Sequence, residues 1–238
     1  RDLFSDYHHL ITDGSSQMIL FTDIANAYEG RPLSEEKVDG FIYSLIEKNL
    51  EESEKYQLAE EYFDDKLTQG IESTVLTPNL NGNVDDGKIK EASLSIDLNV
   101  VNEFCNKYSI SKNTLFMAMA VLDLNKYTFS DKTLFTTIFN GRSSPIYYNT
   151  QGMLVKTLPV VLNNENRESS IRQFIDYIDQ TWKDSLNSSI YPYTKIAAKY
   201  QLKPEFLYSY QEFSESGDIL INGRNYEPES LDDEDVYL

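Results

Sequence analysis

Cysteine occurs once in these 238 residues, at Cys105, and histidine only twice. A single cysteine excludes an intrachain disulfide framework and fits a reducing compartment, so a cytoplasmic location is expected. No third histidine remains to activate a thiol, and Cys105 in "VNEFCNKY" reads as a buried helix residue. Bases are also scarce, with 21 Lys and Arg against 39 Asp and Glu, a net charge of −18. That balance argues against nucleic acid, whose phosphates need cations, and against anionic membrane surfaces. No apolar run approaches the length of a membrane span, and no signal peptide is visible. Internal repeats and low-complexity linkers are missing too.

What is present suits a soluble globular α/β chain: 40% hydrophobic residues, 25% charged, with 17 Tyr and 12 Phe to build an aromatic core with polar handles. "LFSDY" alternates as a strand. After Asp13-Gly14 the apolar period becomes helical (Met18, Ile19, Phe21, Ile24, Ala25, Tyr28) and stops at Gly30. A broken helical stretch runs from near Glu35 to Gly70. Its acidic run "EESEKYQLAEEYFDD" reads as a solvated face, with Glu51 and Lys55 as an i,i+4 pair. Asn81-Gly82 and Asp86-Gly87 mark a loop or hairpin tip. "EASLSIDL" reads as a strand, followed by helices over Val100–Tyr108 and Ser111–Tyr127. "TLFTTIFNGR" and "GMLVKTLPVVLN" are strand candidates, and Pro159 places the second at an edge or bulge. A helix over Ser169–Asn187, a short helix after Pro192 and a strand in "EFLYSYQEF" complete the pattern, before an acidic tail from Glu227. Alternating strands and helices indicate an α/β fold.

Both histidines stand together in "YHHLITDGSS". Histidine titrates near neutrality and suits general-base work. Asp13 has two readings: it orients His9 as the carboxylate of a triad does, or it caps the following helix, a role open also to Ser15 and Ser16. Two histidines and one aspartate without a further ligand cluster do not make a metal site. Two ordinary turn histidines beside an Asp-Gly turn remain the bland alternative.

These residues resemble the His-His-x-x-x-Asp-Gly signature of nonribosomal peptide synthetase condensation domains, members of the chloramphenicol-acetyltransferase-like acyltransferases. It stands complete as His8-His9-Leu10-Ile11-Thr12-Asp13-Gly14. "FNGRSSP" resembles the family's Gly-Arg loop, and "QGMLVKTLPVVL" its Gly-Met-Phe-Val-Asn-Thr-Leu-Pro strand. "NSSIYPYTKIA" resembles the His-Gln-x-x-Pro-Phe-Glu segment, and "KPEFLYSYQEF" the strand after it. The resemblance implies a chloramphenicol-acetyltransferase-like two-layer sandwich, mainly the C-terminal subdomain of a condensation domain. Its extent implies a partial domain over 1–238, with the motif at 7–16 and the C-terminal subdomain at about 70–238, truncated at both ends.

The resemblance also implies roles. His9 is the catalytic residue on a tunnel entered by the phosphopantetheine arms of donor and acceptor carrier proteins. The chain itself binds no cofactor. His8, Asp13, Gly14 and Arg142 support the site, with Asp13 turned from His9 to pair with Arg142. Gly14 lies where a side chain would obstruct substrates. Ser15, Ser16, Gly141, Met153 and Thr157 are the tunnel candidates. The implied reaction is peptide-bond-forming acyl transfer between carrier-bound thioesters, beside adjacent adenylation and carrier domains. An epimerisation domain, a stand-alone acyltransferase and a non-catalytic recruitment module are the alternatives.

Two departures stand out. Lys156 replaces the family's asparagine, reading either as a cation on the tunnel wall or as a solvent-facing edge lysine. Asn187-Ser188 replaces His-Gln. A chain with half a tunnel is expected to be inactive alone and to self-associate through an exposed subdomain face. Acidic carrier partners call for a local basic patch, for which Arg142, Lys156, Arg167, Arg172 and Lys195 are the available cations.

Overall fold

The computed structural model describes residues 5–67, 74–75, 92–93, 95–128, 132–163, 170–211, 219–221 and 223–226. The Asn-Gly and Asp-Gly turns near 81–87, Arg167 and the tail from 227 lie outside them. Two compact units interleave along the chain: residues 1–49, 140–155 and 211–238 form one, and 50–139 with 156–210 the other.

The second unit is built on β1 (Lys132–Phe139), β2 (Lys156–Asn163) and the short β3 (Leu207–Tyr208), in the order β2-β1-β3. β1 and β2 are antiparallel with Leu134 opposite Val161 and Phe135 opposite Val160, while β3 runs parallel to β1. β1 and β2 are each buried through five consecutive residues. That explains why they read as continuous apolar and β-branched runs rather than as alternation. On one face Leu134 and Val161 pack with Tyr56, Phe63 and Ile196 from α3 (Glu54–Leu67) and α7 (Tyr193–Tyr200). On the other, Phe135, Val160 and Leu162 meet Met117 and Val121 of α5 (Lys112–Thr128) and Ile175 and Ile178 of α6 (Ile171–Asn187). Pro159 sits in β2, at the sheet edge among the described residues, where a missing N–H costs no ladder bond.

Local chemistry sets the helix ends. Ser170 and Gln173 close a reciprocal capping box that starts α6. Asp97 caps α4 (Leu98–Tyr108), in which Cys105 is buried. Among the described residues no helix is long and apolar enough to cross a membrane.

Several expectations are corrected. Residues 5–7 are irregular, and so are 92–93 and 95–97 of the predicted "EASLSIDL" strand. The "GMLVKTLPVVLN" strand starts only at Lys156, and "EFLYSYQEF" pairs only at Leu207–Tyr208. Glu51 pairs with Lys195 at 3.1 Å instead of Lys55, because residues 51–53 form a turn that breaks the helical spacing. Lys195 also donates to Tyr56, and Lys199 to Glu60 and Asp64, so α7 is tied to α3 along a polar rim above their apolar contact.

Ile178, fully buried against the sheet, gives the test of this packing. Ile178→Ala should destabilise the chain by about 2–5 kcal/mol in urea titration. An unchanged midpoint would refute the α6–sheet contact.

Candidate active site

The first unit carries the histidine motif. Its elements are α1 (Gly14–Tyr28), α2 (Gly40–Leu50), the loop 140–155 with a 3-10 turn at Pro145–Tyr147, and a hairpin of β4 (Ile219–Ile221) and β5 (Arg224–Tyr226). Asp13 is the N-cap of α1, in extended conformation, and its Oδ1 accepts from the Ser16 amide at 2.8 Å. The same carboxylate is clasped end-on by Arg142, Nη1 to Oδ2 and Nη2 to Oδ1, both 3.0 Å. The Leu154 amide adds a bond to Oδ2 at 3.0 Å, and Ser16 Oγ lies 2.9 Å from Oδ1. The carboxylate is 0% exposed and the guanidinium side chain 4%.

Burial alone would raise the Asp13 pKa, but the donors from Arg142, Ser16 and Leu154 outweigh it and hold the carboxyl below its ordinary value. Arg142 is satisfied further by the carbonyls of Asn140 and Thr150. Its Nε is buried without a partner among the described residues.

Ser16 is the residue that sequence reasoning misplaced. Expected on a substrate wall, it is 3% exposed. Its Oγ accepts from the Gly152 amide and from Arg142 Nη2, and it donates to either Asp13 or the Gly152 carbonyl. The Gly152 and Leu154 amides therefore serve this network, which is why no strand forms before Lys156. A serine three residues after a capping aspartate was the only available signal.

Gly141, also expected along the tunnel, is buried with φ +74°, and a Cβ there would lie 1.9 Å from the Leu154 carbonyl oxygen. Glycine is required by close backbone approach. Gly40 of α2 is similar, with a Cβ falling 2.5 Å from the Gln151 oxygen. Thr150 donates to the Val38 carbonyl and Glu36 accepts from the Gln151 amide. Tyr43 reaches the Gly141 carbonyl at 3.4 Å. Burial and the neighbouring Glu47 push its phenol well up, so it remains a donor.

His8 and His9 precede this anchor in an exposed turn. The Ile11 amide donates to the His8 carbonyl at 3.0 Å, and the Leu10 amide to His8 Nδ1 at 3.1 Å. None of the five bonds to Asp13 comes from His9. The structure thus joins the capping and ion-pair readings of Asp13 and removes the orienting one. Gly14 is exposed, and among the described residues nothing lies within 4 Å of a Cβ placed on it. Ser15 lines an open cavity of about 310 Å³ with Met18, Ile19, Asn140, Arg142 and Tyr148. Met153 is exposed.

A family model described as "Condensation domain" matches residues 2–211. The chain belongs to the condensation-domain family. Among its relatives, this condensation domain is 27% identical over 201 residues to tyrocidine synthase 2 of Brevibacillus parabrevis, covering 83% of the chain and 6% of the relative. It is 28% identical over 200 residues to nonribosomal peptide synthetase 2 of Cochliobolus heterostrophus, covering 79% and 4%. The chain therefore spans about a twentieth of the length of these proteins. It shares its fold with the first condensation domain of the calcium-dependent antibiotic synthetase, at TM-score 0.70 and 15% identity, covering 92% of this chain and 51% of that one. The chloramphenicol-acetyltransferase-like α/β class expected from the motifs is thereby shown.

In the second unit of the domain, Thr157 is half-buried on β2 opposite Ile138. Lys156 is half-buried as well, its Nζ donating to the Ser189 carbonyl at 3.2 Å. Arg172 pairs with Asp176, and Lys195 with Glu51.

Removing one partner of the buried pair strands the other charge, so Arg142→Ala should cost about 3–5 kcal/mol by chemical denaturation. Asp13→Ala with Arg142→Ala should cost less than the two losses summed. The Asp13 carboxyl is depressed on folding, so its ionised form stabilises above its unfolded value and that benefit fades as pH falls toward the folded value. The stability gap between the parent protein and Asp13→Asn should therefore narrow below about pH 4. A gap that widens there would refute the assignment.

Proposed function

We propose that His9 serves peptide-bond-forming acyl transfer in nonribosomal peptide synthesis, within the longer protein of which such domains are a part. The observation that carries this reading is the complete commitment of Asp13 to Arg142, Ser16 and Leu154, which leaves His9 exposed and without a carboxylate from its own motif. Among the described residues no carboxylate meets His9, and an imidazole so placed suits handling a proton on a substrate more than activating a nucleophile as in a triad. The open space at Gly14 supports the same reading, since no packing among the described residues demands glycine there.

The substrates are two thioesters on the phosphopantetheine arms of donor and acceptor carrier proteins, with adenylation and carrier domains as neighbours. The acceptor amine attacks the donor carbonyl; the C–N bond forms and the C–S bond breaks. The proton lost by the attacking nitrogen ends on the departing sulfur, so the donor arm leaves as a thiol; His9 either carries that proton or holds the amine and the developing zwitterion in place while it transfers. No acyl-enzyme is required. Placing two tethered reactants together supplies much of the acceleration, since good orientation is equivalent to about 7–11 kcal/mol of barrier. A cytoplasmic location fits the single thiol and the cytosolic carriers.

The test uses the full-length protein with both carriers loaded, following dipeptidyl-thioester by mass spectrometry. His9→Ala should slow condensation by about 10²–10⁴-fold. An undiminished rate would refute the role.

A further inference from the structure

We infer that His8 is a positioning residue that acts only through the lone pair on Nδ1, closing the turn that presents His9. Four observations converge. The Ile11 amide bonds the His8 carbonyl at 3.0 Å, making His8–Ile11 a tight turn with His9 as its second residue. The Leu10 amide bonds His8 Nδ1 at 3.1 Å, so the side chain of the first turn residue closes a second, smaller ring across His9. Both closing bonds therefore end on His8, and His9 lies inside both. Among the described residues His8 makes no other side-chain hydrogen bond and its ring is exposed, so within them the Nδ1 bond is what its side chain contributes.

This arrangement copies a turn that Asn and Asp ordinarily make, in which a side-chain oxygen accepts the amide two residues on. Histidine Nδ1 is separated from Cβ by the same number of bonds as asparagine Oδ1. To accept from Leu10, Nδ1 must carry the lone pair, so the neutral ring holds its proton on Nε2. The bond fixes both the backbone of the turn and the tautomer of His8. It fixes His9 only indirectly, by restricting the backbone from which its imidazole projects.

The inference rests on the proposed role of His9, and the test separates the two. In the full-length protein, His8→Ala and His8→Leu should lower kcat at least about tenfold with KM within about twofold, the signature of a misplaced catalytic group. His8→Asn, which keeps an acceptor at the same distance, should recover most of the lost kcat. His8→Gln, one carbon longer, should not. If His8→Asn is as slow as His8→Ala, or His8→Ala is as fast as the parent protein, the inference falls while the role of His9 stands on His9→Ala. If His9→Ala itself condenses at the parent rate, the function reading falls. Nitrogen-15 spectra of the histidine rings, which need neither activity nor a variant, then decide the structural part: a His8 proton on Nε2 upholds it, and one on Nδ1 overturns it.

Discussion

The buried pairing of Asp13 with Arg142 is the constraint on which the first unit depends. It joins residues 129 positions apart, holding the start of α1 against the 140–155 loop. Taking both charges from water is costly, and an apolar pair of similar volume often stabilises as much. What the ion pair adds is direction. Two end-on bonds, the helix cap and the Leu154 amide fix the carboxylate plane, and with it the first turn of α1. A hydrophobic contact would tolerate sliding and rotation that this set of donors does not. Glycines 141 and 40 belong to the same constraint, since the network closes only if the backbone approaches to distances a Cβ forbids.

That geometry decides which chemistry His9 has available. A carboxylate four residues after a histidine invites the triad reading, and only the full set of donors on Asp13 shows why it fails. All five bonds come from elsewhere, so the motif divides its labour: Asp13 anchors, and the imidazole before it faces outward. The division depends on Arg142. Its guanidinium neutralises Asp13 and draws the carboxylate inward, and the loop glycine beside it lets that happen.

The local elements were legible because their signals are local. Helical period located α1, α5 and α6, and unbroken buried runs located β1 and β2. The Asp13–Arg142 pair was legible only through the family resemblance, since spacing alone left Asp13 either to orient His9 or to cap α1. The choice among tertiary partners was not legible. Ser16 looked like a substrate-wall residue and is the hub of the anchor. "GMLV" looked like strand, yet its amides serve Asp13 and Ser16. Glu51 looked set for Lys55 and instead takes Lys195, because a turn intervenes. In each case the residue type was informative and its partner lay far along the chain. The basic patch expected for acidic carriers meets the same obstacle. Arg142 is buried with Asp13, and Arg172 and Lys195 each face an acid of this chain. Charge at these positions is balanced internally, so they offer little long-range attraction to an acidic partner.

Stability and catalytic geometry thus rest on different bonds of one short motif. The anchor is dry, multiply bonded and strong, and its loss registers as unfolding. The turn holding His9 is wet, closed by two exposed bonds to His8, each contributing little to stability in competition with water. Yet the imidazole proposed to react hangs from the turn. Anchoring at Asp13 limits where the turn begins its path into α1, while the bonds at His8 limit how it curves before that. A rigid mount with a softer, adjustable tip suits the role proposed for His9, which would meet two flexible tethered substrates. On the proposed roles, the doubled histidine follows from that arrangement: the first ring shapes the backbone, and the second is left to do the chemistry.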